Sequence, residues 1–224
     1  MFVYQNKQNT QVYINIDVDY PKSCPDYILA IDNGVLKVND LEVNRIKNIS
    51  IEPELDVSKP FEISTPSFID LSGKKITATA DTVGDGVFHV TVGGVLTIDG
   101  DGYINSVGNN EYSMAVWADG GKVIINNGNF TNVGAGSNDH YDLIYVKNNG
   151  VVEINGGYFE CQTPRWTLNS NNSAPGTIIV KGGSFKNYNP AESYTDENGS
   201  NPTNFVAPGY AVKRDGDIYT VYKI

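Results

Sequence analysis

Two cysteines, two histidines and no apolar run of membrane-spanning length leave this 224-residue chain few conventional sites for chemistry. Cys24 and Cys161 are neither spaced as CxxC nor close to paired histidines. A metal or redox centre is therefore not expected; two idle or buried thiols are, with a disulfide left open. The first twenty residues lack the basic stretch and apolar core of a secretory signal, so export by lysis or a dedicated system is the expectation. Basic charge is also short, with 16 Lys and Arg against 26 Asp and Glu, a formal net charge of −10. Such a balance argues against nucleic acid or an anionic membrane as the main partner. No long segment carries a capped apolar period of 3.6 residues, which removes the helical classes.

Glycine and alternation are what the chain has instead. Its 23 glycines and 10 prolines, with many asparagines, punctuate short runs of β-branched and aromatic residues at a two-residue period. One phrase recurs: GVLTIDGDGYI from Gly94, GKVIINNGNF from Gly121, GVVEINGGYF from Gly150 and GTIIVKGGSF from Gly176. The opening glycines lie 27, 29 and 26 residues apart. A propeller blade needs four strands and about 40–45 residues per repeat. A β-sandwich shows turns but no phase-locked phrase. The period therefore predicts an all-β, right-handed, single-stranded parallel β-helix.

Side chains alternate along a strand, and stacked strands lie ~4.8 Å apart, so each slot of the phrase should form a column. Leu96 and Ile98, Val123 and Ile125, Val152 and Ile154, and Ile178 and Val180 are assigned inward, with Ile104, Phe130, Phe159 and Phe185 beyond the corner. The corner glycines are expected to turn the backbone, with positive φ. A second strand precedes each phrase and places Phe88 and Val90, Val116 and Ala118, and Ile144 and Val146 inside. Between them an outward slot holds His89, Trp117 and Tyr145, while Ile124 and Ile179 face outward on the next strand. An aromatic-rich outer column suits a subunit contact, a sugar or a loop of the same chain. Residues 1–60 read as a small N-terminal β region, a candidate collar, with EPELDVSKP as a linker; residues 61–190 read as the helix. Residues 191–224 read as a loop and a hairpin, turning at Asp215-Gly216, that caps the open end.

The phrases VVEINGGYF and TIIVKGGSFKNYNPA, with the closing NFVAPGYAVKRDGDIYTVYK, resemble right-handed parallel β-helix modules of the pectate-lyase-like type. More narrowly they are similar to modules of tailed-phage virion proteins and of gut bacterial surface proteins. The resemblance covers residues 61–224 and leaves residues 1–60 unmatched. It implies a non-enzymatic structural protein of the virion, a head or tail fibre or decoration. Such a protein would be a homo-oligomer with a trimer favoured, held to other virion proteins through residues 1–60 and touching host surface glycans. The alternatives are a carbohydrate-binding or polysaccharide-degrading protein of the tail-spike type, or a location on the bacterial cell surface or outside the cell.

Enzymes on such a fold need clustered carboxylates, either around Ca²⁺ beside a basic proton acceptor or as an acid pair in a cleft. The candidates are few. SNDHYD places Asp139, His140 and Asp142 on a loop entering a strand, and Glu160 and Arg165 are assigned to the loop one coil later. The acids do not recur on successive coils, so a polar turn is the favoured reading. Asp99 and Asp101, in DGDG, lack the rest of a calcium loop and read as turn residues too. No catalytic residue, metal or cofactor is assigned.

Overall fold

The computed structural model describes residues 2–5, 11–18, 29–32, 35–38, 46–51, 54–57, 60–78, 86–106, 114–132, 141–194 and 202–224. These residues form an all-β parallel β-helix of about four turns. Each coil contributes one strand to each of three faces. The first face stacks Phe61–Ile63, Gly86–Val90, Met114–Asp119, Ile144–Lys147 and Leu168–Ser170. The second stacks Pro66–Asp70, Val95–Asp99, Lys122–Ile125, Val151–Ile154 and Thr177–Val180. The third stacks Lys75–Ala78, Tyr103–Ser106, Asn129–Asn132, Tyr158–Cys161 and Ser184–Lys186.

Register converts the repeated phrase into columns. Leu96, Val123, Val152 and Ile178 lie directly over one another, as do Ile98, Ile125, Ile154 and Val180, and all are buried. On the third face Ile104, Phe130, Phe159 and Phe185 form the equivalent inner column. Its rings are nearly parallel, with centroids 5.1 Å apart for Phe130–Phe159 and 4.8 Å for Phe159–Phe185. The strand spacing itself sets these distances: a residue identical to its neighbour one coil away stacks on it without a change of rotamer. Such pairs add ~0.5–1.5 kcal/mol beyond the burial of the rings.

The glycines do two different jobs. Gly128, Gly157 and Gly183, just before the aromatic slot, have φ of 127°, 100° and 98°, the conformation expected of a tight corner. The glycines that open each phrase are there for space instead. A Cβ on Gly94 or Gly150 would lie 2.2 Å from the carbonyl oxygen of Ile63 or Ala118 in the coil before. Close approach of successive coils, not backbone sign, fixes that position.

Parallel pairing starts upstream of Phe61. Ile46–Ile51 pairs parallel with Pro66–Asp70, and Glu54–Val57 pairs parallel with Lys75–Ala78. The segment expected as a linker thus contains a strand. Pro53 and Pro60 flank Glu54–Val57 rather than interrupt it, and Leu55 and Val57 take the register positions of Ile76 and Ala78. Beyond Ile46–Ile51 the sheet continues antiparallel through Gln11–Val18 and Phe2–Gln5. At the other end Tyr210–Asp215 and Ile218–Lys223 form the expected hairpin, turning at Gly216 with φ 60°. Ile218–Lys223 lies antiparallel on Ser184–Lys186, ending the third face and placing buried Val221 under the core. Phe205 and Tyr188 close the same end.

Candidate functional site

The outward column of the first face is in register as the sequence requires: Glu62, His89, Trp117, Tyr145 and Asn169 follow one another across five strands. His89 and Trp117 stack with ring centroids 3.8 Å apart and planes within 6°. His89 Nε2 lies 3.2 Å from Asp119 Oδ2 one coil on. The other oxygen of that carboxylate, Oδ1, accepts a hydrogen bond from Asn148 Nδ2 at 2.6 Å, a further coil along. The Trp117 indole Nε1 is buried without a hydrogen-bond partner among the described residues.

Tyr145 faces outward but is covered by its own chain, with 6% of its surface exposed. Its hydroxyl accepts a hydrogen bond from Asn171 Nδ2 at 2.7 Å. Asn171 is itself fixed, because its Oδ1 accepts from the Ser173 and Ala174 amides at 3.0 and 2.8 Å. The carbonyls of Ala174 and Pro175 in turn accept from Asn148 N and Asn149 N at 2.8 and 2.9 Å. Tyr145, on the last strand but one of the face, therefore serves as the floor for the segment that joins the first face to the second. Alternation shows which way a side chain points; it does not show what the following loop does with it.

On the second face Ile124 and Ile179 are half-buried and flank Glu153 in one outward column. Glu153 Oε1 accepts from Lys181 Nζ at 2.8 Å. Glu160 repeats the device on the third face, accepting from Lys186 Nζ at 2.8 Å and from the Tyr158 hydroxyl at 2.9 Å. It lies in the strand Tyr158–Cys161, not on the loop where the sequence reading put it, because the strand runs two residues past the inward Phe159. The lysine bonds hold both glutamates below the ordinary carboxylate value, against the opposing effect of burial. Asn105 and Thr131 join the same ladder, Thr131 Oγ1 donating to Asn105 Oδ1 at 2.7 Å.

Asp142 is not a surface turn residue. It is 1% exposed, and its Oδ1 accepts from Asn169 Nδ2 at 2.9 Å while its carbonyl accepts from Asn132 Nδ2 at 3.0 Å. The pair of asparagines ties three coils at the corner where the third face returns to the first. Beside it, the Cys161 thiol donates to the Tyr141 carbonyl at 2.9 Å. Cys161 is free and buried, and desolvation pushes its thiol up to about 12, which leaves it unreactive near neutral pH. Asp139, His140 and Cys24 lie outside the described residues. Arg165 does sit on a loop, in the 3-10 turn Pro164–Trp166, with its guanidinium 4.8 Å from the Trp166 ring centre.

Asp99 and Asp101 serve turns, as expected. Asp99 Oδ1 accepts from the Gly100 amide at 2.8 Å, and Asp101 Oδ1 accepts from the Gly73 amide of the preceding coil at 3.2 Å. Among the described residues no three His, Cys, Asp or Glu side chains come together as a metal site would need. The coil-to-coil ion pairs went unnoticed in the sequence. Their signal was a Glu and a Lys one coil apart, 28 residues for Glu153–Lys181 and 26 for Glu160–Lys186. No family model, curated protein or solved structure matches the chain.

Proposed function

We propose that the chain is a non-enzymatic structural module of a tailed-phage particle, a fibre or decoration that works as a homo-oligomer, with residues 1–60 at its attachment end. The virion setting and the trimer rest on the resemblance carried by the glycine phrases and the closing hairpin segment. The structural, non-catalytic part rests on one observation: where the surface ionisable groups go. Glu153 with Lys181, Glu160 with Lys186, and His89 with Asp119 each join neighbouring coils. A glycoside hydrolase needs one carboxyl held protonated opposite a second that is ionised. These glutamates are instead kept ionised by a lysine apiece.

Contact with host glycans is a second reading, and the half-buried His89–Trp117 stack supports it. In this reading Trp117 would carry the apolar contact with a sugar face. Tyr145, under its own loop, contributes nothing to it.

The test of the main reading is co-purification. Peptides of this chain should band with phage particles through a density gradient, and the purified chain should form a stable oligomer in sedimentation. A chain absent from particles and monomeric at high concentration would overturn the proposal. Glycan-array binding lost in Trp117→Ala would support the second reading; an array without signal would remove it.

A further inference from the structure

Among the described residues, asparagine precedes glycine three times: Asn127–Gly128, Asn149–Gly150 and Asn155–Gly156. This dipeptide is chemically exposed because glycine has no Cβ to shield its amide nitrogen from the asparagine side chain. Whether the nitrogen reaches the side-chain carbon depends on what else holds the two groups, and the three sites differ in that respect.

At Asn149–Gly150 the nucleophile is occupied. The Gly150 amide donates to Lys147 O at 2.8 Å, and Asn149, at φ 62°, donates its own amide to Pro175 O at 2.9 Å. At Asn155–Gly156 the electrophile is pinned. Asn155 Nδ2 donates to Asn126 Oδ1 of the preceding coil at 3.1 Å. At Asn127–Gly128 neither restraint applies: Asn127 is exposed, and neither its amide group nor the Gly128 N–H has a partner among the described residues.

We propose that Asn127 is a site of spontaneous deamidation, and the first of the three to change. The Gly128 nitrogen forms a bond to Cγ of Asn127 and loses its proton to solvent, the Cγ–Nδ2 bond breaks and ammonia leaves, giving a succinimide. Water then opens either carbonyl of the ring, to aspartate or to isoaspartate. No electron transfer is involved, and the only co-reactant is water.

The product matters because this corner is clamped on both sides. The Gly128 carbonyl accepts from Tyr158 N at 2.8 Å, and Asn129 N donates to Gly102 O at 2.8 Å. Isoaspartate inserts a methylene into the main chain between the second-face strand and these two bonds. There is little slack to take it up: at Gly128 even a Cβ would come within 3.0 Å of the Phe130 ring and 3.1 Å of Leu71. Either product also adds a negative charge to a chain already at −10. The corner thus acts as a slow, one-way timer that loosens the coil carrying Phe130 from its neighbours.

The full folded chain, aged at mildly alkaline pH and mapped by peptide mass spectrometry, tests this directly. The one-dalton gain, with its aspartate and isoaspartate isomers, should build up at Asn127 several-fold faster than at Asn149 or Asn155. In urea the three sites should react at similar rates, because the protection of the other two comes from the fold. Asn127→Gln should abolish the early gain in the peptide that carries residue 127 and leave the thermal midpoint unchanged. No gain at Asn127 in the folded chain, or gains at Asn149 or Asn155 that keep pace with it, would overturn the proposal.

Discussion

Two aromatic columns run along this helix, and they behave differently. Ile104, Phe130, Phe159 and Phe185 stack inside the third face, and His89, Trp117 and Tyr145 stack outside the first. Both follow from the same register, and the Phe130–Phe159, Phe159–Phe185 and His89–Trp117 ring pairs lie almost parallel from coil to coil. The inner column is wholly apolar, and its phenylalanines stack on one another. The outer one carries polar tips with different surroundings: Asp119 for His89, Asn171 for Tyr145, and no hydrogen-bond partner among the described residues for Trp117 Nε1. Repetition specifies a core; it does not specify a surface, where every coil meets a different loop.

Substitutions should separate the two columns by size of effect. Phe159→Ala removes a ring stacked on both sides and leaves a cavity, so a loss of ~3–5 kcal/mol in unfolding free energy is expected from denaturant titration. Next comes the polar corner that joins the faces. Asp142→Ala removes a buried acceptor of Asn169 Nδ2 and should cost ~1–3 kcal/mol by the same titration. Tyr145→Phe keeps the ring and deletes one hydrogen bond to Asn171, worth ~0.5–1.5 kcal/mol. Its sharper readout is local: amide exchange in 171–175 should speed up more than exchange in the inner strands. A Tyr145 substitution that leaves that segment protected would show that the outer ring does not support it.

The ion pairs should give the smallest effect. The Glu153 and Glu160 pairs are partly exposed, so Lys186→Met should cost less than ~1 kcal/mol. Both glutamates titrate lower in the folded chain than their ordinary value of 4.5. Their contribution is therefore complete above that value and fades as pH falls through the lowered folded values. Lys186→Met should flatten this acid limb of the stability–pH curve, and added salt should mimic it.

The inner architecture was legible because it is periodic. Val152, Ile154 and Phe159 could be assigned from the spacing of Gly94, Gly121, Gly150 and Gly176 alone. The strand Glu54–Val57 was harder to see, since prolines on either side masked its alternation. On the surface, direction was legible and environment was not. Tyr145 does point outward, but nothing in its own strand announces that Asn171, 26 residues later, will cover it. Asp142 looked like one more turn residue; it is buried because two asparagines from neighbouring coils converge on it, a three-coil arrangement no local pattern records.

The proposed function has Glu153 and Glu160 hold neighbouring coils together and perform no chemistry. It is tested most directly by incubating the purified chain with a panel of acidic and neutral polysaccharides and measuring reducing ends, beside Glu160→Gln and Glu153→Gln. The account predicts no release from the native chain or from either variant. Release by the native chain that disappears in either variant, while its fold persists, would contradict it.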